Sequence, residues 1–262
     1  MPIYAGSHLV SLGDIPSAFT GYERVFGVGE NSNPFFRDVA QAGGTLTDTE
    51  RDALNTLESE LKSNNIWNDL DFLFPFVGGV SGSCALSMVN TSTYSGSFDS
   101  NWVFDSSGIT GTNAEMTTNI PNTLNGTTGA YGLGMYIGNN IQDDVALEGS
   151  DVFLRPRTLA NNYQGSFGST MFTATGITDS IGHYTMTNTG IAISQTSLFK
   201  NGSGVGGGTE TRAGDGSNYS LGRGGSKTSY NFCIIYGGSS ITSSNVGQMN
   251  TIVNNFITSL SR

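Results

Sequence analysis

Apolar and polar positions recur with two different periods along this chain, and the change falls near residue 80. Before it, Ala53, Leu54, Leu57 and Leu61 return at helical spacing, while Arg51, Asp52, Glu58, Glu60 and Lys62 fill the opposite face. Thr47 and Glu50 stand at the spacing of a capping box, in which a hydroxyl and a carboxylate satisfy free N–H groups of the first turn. The pattern predicts a helix over Thr47 to Asn64 whose apolar stripe covers another element. Ile66 and Trp67 close it, Phe72 to Val77 form a dense apolar patch, and Gly78-Gly79 interrupts the chain. Trp67 is expected to be buried with Phe74 and Phe76, because so concentrated an aromatic cluster is costly to leave wet.

From Ser81 onward the period is two. Strands are predicted at Gly96 to Phe104, Asn113 to Ile120, Tyr131 to Ile137, Asp144 to Glu148, Val152 to Arg157 and Thr170 to Thr175. Five more follow at His183 to Thr187, Gly190 to Gln195, Ser197 to Lys200, Tyr219 to Leu221 and Asn231 to Tyr236. Tyr184 and Met186 alternate with His183, Thr185 and Thr187, as in a sheet with one wet face, so His183 is expected half-exposed. Asn201-Gly202 marks a hairpin tip, since a two-residue turn needs positive φ at both positions. A terminal helix over about Ser243 to Ser259 presents Val246, Met249, Val253, Phe256 and Leu260 on one side. Two helices thus bracket a β-rich stretch and are expected to lie together.

The order Leu46-Thr47, Glu50, Leu57, Leu61-Lys62, Ile66-Trp67 and Phe74-Pro75-Phe76-Val77-Gly78-Gly79 resembles bacteriophage virion proteins that carry a concanavalin A-like (laminin G-like) jelly roll. Trp102 to Asn113, Leu198 to Gly202, Tyr219 to Gly222 and Phe232 to Tyr236 keep step with that family. The likeness runs from about Thr45 to the end. It implies a mainly β, antiparallel two-sheet sandwich with two flanking helices, in a tail appendage, fibre or capsid-associated protein. No motif in it is a catalytic signature, so it speaks to fold and setting.

The first residues read as a separate unit. Tyr4 to Val10 and Phe19 to Val25 share the form aromatic, any residue, Gly, three variable residues, Val. The chain is therefore divided into an N-terminal docking or hairpin segment, residues 1–44, and a sandwich with capping helices, residues 45–262. Tyr4, Val10, Phe19 and Val25 are the candidate contacts to other virion proteins or to further copies in a homo-oligomer, since so small a unit cannot bury a core alone. An edge hairpin of the main sheet is the alternative.

Composition narrows the function classes. Twenty-one Asp and Glu against eleven Lys and Arg give a formal net charge of -10, which leaves no basic face for nucleic acid. No apolar run approaches the ~20 residues of a membrane helix, so no membrane insertion is expected. Met1-Pro2 leads into polar sequence without a secretory pattern, and assembly in the host cytoplasm followed by residence in the virion is expected. In that reducing compartment Cys84 and Cys233 are expected to stay unpaired.

Catalytic constellations are sparse. Glucanases related to this jelly roll set acids at alternate positions of one strand, to place carboxylates about 5 Å or about 6.5 to 9.5 Å apart; no such array occurs here. Glu58 and Glu60 fall on the capped helix, Asp69 and Asp71 in the aromatic patch, and Glu148 and Asp151 are split by Gly149. Neither His8 nor His183 has a nucleophile motif beside it, and Gly222 to Thr228 lacks the helix a phosphate loop needs. Asp143-Asp144, Glu148 and Asp151 form the densest acidic group, read as a solvated loop in preference to a calcium site. No cofactor, metal or catalytic residue is therefore assigned. Glycan recognition needs only amide, hydroxyl and aromatic groups on loops, and Tyr163 within Asn161 to Gln164, with Asp215, Tyr219 and Arg223, are the candidates. The expectation is a non-enzymatic virion structural protein that contacts host-surface glycan; the alternatives are a free lectin-like module and, behind it, a glycan hydrolase.

Overall fold

The computed structural model of the chain describes residues 33–122, 130–143, 146–149, 151–168, 170–190, 193–211, 216–222 and 228–262, with two short strands before them. Those strands, β1 (Tyr4–Ala5) and β2 (His8–Leu9), pair antiparallel. Helix α1 (Pro34–Gln41) begins on the Asn33 side chain, which accepts from the Phe35 N–H at 3.0 Å. Helix α2 (Asp48–Ser63) has Thr47 as its N-cap with the full capping box, as the sequence predicts. A single 3-10 turn (Trp67–Asp69) leads into β3 (Phe72–Phe74), and α3 (Ser81–Cys84) is one helical turn within the stretch from Ser81 onward that the sequence pattern marks as β-type.

The remaining strands are β4 (Gly96–Phe98), β5 (Trp102–Asp105), β6 (Gly108–Gly111), β7 (Met116–Pro121), β8 (Tyr131–Ile137), β9 (Leu147–Glu148), β10 (Phe153–Arg155), β11 (Tyr163–Ser166) and β12 (Phe172–Ala174). They continue through β13 (Gly182–Asn188), β14 (Ile193–Lys200), β15 (Ser203–Thr211), β16 (Asn218–Leu221) and β17 (Asn231–Ser239) to the terminal helix α4 (Val246–Ser259). They form a two-sheet antiparallel sandwich. One sheet has the order β12-β11-β10-β9-β16-β7-β4; the other runs β15-β14-β13-β8-β17-β6-β5, with β3 also on β17. The expected single strand from Gly96 to Phe104 is two, β4 and β5, one in each sheet. Asp99 takes the Asn101 N–H at 3.0 Å in the turn that carries the chain across. The Asn201-Gly202 tip is as expected, with φ of 50° and 78°, and the glycine run after it is strand β15.

Two cores share the larger sheet. Between the sheets lie Met116, Ile120, Leu154 and Leu221 against Leu133, Met135, Met186, Leu198 and Ile235. On the other face, Ile234 and Tyr236 meet Leu54, Leu57 and Leu61 of α2 and Met249, Val253 and Phe256 of α4. Helices α2 and α4 lie together, and Asn255 of α4 donates to Glu60 of α2 at 3.0 Å. A bulge after Phe232 turns Cys233 and Ile234 to the same, helical side. Phe35, Phe36 and Val39 of α1 join that layer, so the chain packs on the sandwich from at least residue 35.

Two expected exposures are corrected. Trp67 is half-buried in the helical layer with Lys62 5.2 Å over its ring, whereas Phe74 and Phe76 stack between the sheets at 6.2 Å. The sheet separates them. His183, Thr185 and Thr187 are buried because α4 covers the face that alternation marks as wet. Among the described residues no helix is long and apolar enough to cross a membrane.

Candidate functional site

Tyr163 and Tyr219 cannot form the glycan loop expected of them. Tyr163 lies in β11 with its side chain between the sheets, where it packs edge-on against Tyr184 at 5.0 Å and donates to the Thr185 carbonyl at 2.8 Å. Tyr219 of β16 is in the same core, 6.2 Å from Phe72. The alternation that places an aromatic on a strand cannot tell the inner face from the outer one. Asp215 and Arg223 lie outside the described residues, as do Val10, Phe19 and Val25; Tyr4 pairs with Leu9 in β1.

The other half of that predicted set, Asn161 and Asn162, leads to a built site. Strands β8, β10 and β12 end at the same edge of the sandwich, and the loops 138–143, 156–162 and 175–181 leave from there. Tyr230, fully buried just before β17, pins the first two. Its hydroxyl donates to the Arg157 carbonyl at 2.7 Å and accepts from the Arg157 N–H at 3.0 Å, and the Asp143 N–H donates to that same carbonyl at 2.9 Å. Ser180, also buried, pins the third: its hydroxyl donates to the Asn139 carbonyl at 2.8 Å and accepts from the Ile141 N–H at 2.7 Å.

On this base the side chains converge. The Asn140 carbonyl oxygen accepts from Arg157 Nη1 at 2.7 Å and from the Ser180 N–H at 3.2 Å. The Asn161 carbonyl oxygen accepts from Arg157 Nε at 2.9 Å and from the Gln142 amide at 2.8 Å. Asn161 sits at φ 58°, a left-handed position that asparagine tolerates, and this aims its amide across the loop. Lys200, at the end of β14, donates to the Asp179 carbonyl and lies 5.3 Å over the Tyr184 ring. Burial pushes its pKa down; Asp179 opposes and Arg157 adds to that shift. Leu159 is 67% exposed and Ile181 40%, so apolar surface borders the amide and guanidinium groups.

Fixed amide, guanidinium and ammonium groups beside small apolar patches can hydrogen-bond a polyhydroxylated ligand while its C–H faces rest on the rim. Among the described residues, the two carboxylates here serve the loops: Asp143 Oδ2 accepts from the Ser229 N–H at 2.6 Å and Asp179 Oδ1 from the Ile181 N–H at 2.9 Å. Asn139, Asn140, Gln142, Arg157, Ser180 and Lys200 were not singled out from sequence. The amide doublets Asn139-Asn140 and Asn161-Asn162 just beyond strand ends were the available signal.

Elsewhere, Glu148 of the predicted acidic cluster points out of the seven-stranded sheet and pairs with Arg155 at 2.7 Å. Among the described residues no group of three or more His, Cys, Asp or Glu could hold a metal ion. His183 is shut under α4, with Nε2 2.8 Å from the Tyr236 hydroxyl and Nδ1 3.3 Å from Asn250, and burial pulls its pKa down to about 4. Cys84 and Cys233 are free, and burial pushes both thiols up to about 12.

The chain matches no protein-family model and no curated protein. Among solved structures it is similar to domain 4 of AbnA, a GH43 extracellular arabinanase from Geobacillus stearothermophilus in complex with arabinotriose. That match has 12% identity and a TM-score of 0.47, and covers 70% of this chain and 98% of that one. It is similar to Trypanosoma rangeli sialidase in complex with sialic acid at 11% identity and a TM-score of 0.49, over 79% of this chain and 39% of that one. The binding domain of Paraclostridial Mosquitocidal Protein 1 matches at 11% identity and a TM-score of 0.43, over 70% of this chain and 52% of that one. These likenesses are too distant to assign a ligand or an activity.

Proposed function

We propose that this protein is a non-enzymatic structural module of a bacteriophage particle that binds host-surface glycan through the loop end built around Arg157. The observation that carries the glycan reading is the set of Asn140, Gln142, Arg157 and Asn161 side chains, locked to one another on loops that Tyr230 and Ser180 hold. Groups so preorganised lose little freedom when a flexible, hydrated ligand arrives. The phage setting is supported by the resemblance of the helix, the Ile66-Trp67 pair and the Phe74 to Gly79 run to virion proteins. Other virion proteins, and further copies of the chain, are its proposed neighbours, reached through residues 1–32. Binding without cleavage is supported by Asp143 and Asp179, each of which turns one carboxylate oxygen to a backbone N–H of the loops.

A free lectin-like module would use the same loop end. A glycan array, a reducing-sugar assay on any glycan bound, and electron microscopy of the intact particle separate the readings. Binding with no reducing ends released, and density for the sandwich on the particle, are expected. Release of reducing ends would make it a hydrolase, and glycan binding by a protein that particles lack would make it a free lectin.

A further inference from the structure

Four ion pairs among the described residues engage Arg37, Arg51, Lys62 and Arg155 with neighbouring carboxylates. Arg157 and Lys200 are handled differently. The Arg157 guanidinium is held at Nε and Nη1 by two neutral amide carbonyls, and Nη2 has no hydrogen bond among the described residues. The Lys200 ammonium meets a main-chain carbonyl and the Tyr184 ring. Neutral acceptors orient a cation without cancelling its charge, so both remain available to an anion.

The two cations also act on each other. Burial is the main cause that lowers the Lys200 pKa; the nearby Asp179 carboxylate raises it, and Arg157 lowers it by a smaller amount, as like charges that share a partly buried site do. Asp179 is within electrostatic range, but its Oδ1 accepts from the Ile181 N–H at 2.9 Å and it forms no ion pair with Lys200 among the described residues. Repulsion of this kind is relieved when an anion bridges the pair. Among the described residues Arg157, Lys200 and Arg262 form no ion pair; Arg262 is held by the Ser106 and Phe76 carbonyls, whereas Arg157 and Lys200 share one loop end of a chain whose formal net charge is -10.

We infer that the glycan taken by this end is acidic, with a sugar carboxylate bound between Arg157 and Lys200 and its hydroxyls on Asn140, Gln142 and Asn161. This rests on the glycan reading above and adds the charge class. Arg157 offers the carboxylate a planar donor, and Lys200 adds a second charge. The amide groups do not discriminate charge, so they supply orientation and the two cations supply selection.

The test uses the full chain on an array carrying sialylated and uronate-containing glycans beside matched neutral ones. The strongest hit is then titrated against the parent, Arg157→Gln and Lys200→Gln, at low salt and at ~0.5 M salt. Acidic hits are expected, weakened about tenfold or more by either substitution and weakened by salt. Lys200→Gln removes one hydrogen bond to a loop and a contact with the Tyr184 ring but leaves the Asn140–Arg157–Asn161 network in place, so it keeps the test decisive if Arg157→Gln loosens the loops. Hits confined to neutral glycans would overturn the acidic assignment and leave glycan binding standing. Acidic hits indifferent to both substitutions would place the ligand elsewhere and overturn it too. No hit at all would overturn both.

Discussion

The Nε2 atom of His183 lies 2.8 Å from the hydroxyl of Tyr236, and both side chains are closed off from solvent beneath the terminal helix. Thr185 completes the group, 3.0 Å from that hydroxyl, and Asn250 reaches Nδ1 from α4. A buried imidazole with neutral partners only must stay neutral, which is why its pKa falls from 6.5 to about 4.

Stability should therefore depend on pH through His183. Its folded pKa lies below the unfolded one, so the unfolded chain takes up the proton first. The contribution is whole above pH 6.5 and is lost as pH falls from 6.5 toward 4. The loss amounts to about 3 kcal/mol across that window. Urea unfolding at pH 7 and pH 4.5 measures it, and His183→Gln should flatten the difference. Equal pH dependence in parent and variant would show that another group is responsible.

Trp67 and Phe74 should differ in cost although both belong to the same aromatic stretch. Phe74→Ala empties a site between two sheets and should cost about 3 to 5 kcal/mol. Trp67→Ala removes a half-buried ring and its contact with Lys62, and about 1 to 2 kcal/mol is expected. Denaturant midpoints of the two variants decide the order, and a larger loss for Trp67→Ala would contradict the packing described.

Two glycines should respond in opposite directions to alanine. A Cβ on Gly134 would lie 2.2 Å from the Tyr236 ring, and the hydroxyl of that ring is anchored by His183 and Thr185, so the ring cannot step aside. Gly134→Ala should cost about 1 to 3 kcal/mol or more. A Cβ on Gly247 in α4 meets nothing within 4 Å, and Gly247→Ala should raise stability by about 0.4 to 1 kcal/mol. Thermal melts of the pair provide the comparison.

Truncation should locate the start of the folded unit. Asn33 caps α1 and donates to Glu58 at 2.7 Å, and Phe35, Phe36 and Val39 are buried in the helical layer. Removal of residues 1–32 should leave the melting temperature nearly unchanged, and light scattering should report loss of any self-association. Removal of residues 1–44 strips three buried apolar side chains and should destabilise the domain by more than about 3 kcal/mol. If the shorter truncation already fails to fold, residues 1–32 carry part of the sandwich.

Helix α2, the Asn201-Gly202 hairpin tip and the span of β8 were determined by the sequence alone, because a capping box, two positive-φ positions and a two-residue period are decided within a few neighbouring residues. The same local rules marked two faces on β13 without saying what covers either. Only the packing of α4 made the His183 face dry, and only the closing of the second sheet put Tyr163 and Tyr219 inside. The loop end depended still more on tertiary structure. Asn140, Arg157, Ser180 and Lys200 are far apart in sequence and meet because three strands end at one edge, where Tyr230 holds two loops and Ser180 the third. Periodicity records which residues share a strand face; which loops share an end follows from strand order, and that is set by long-range pairing across the whole sandwich.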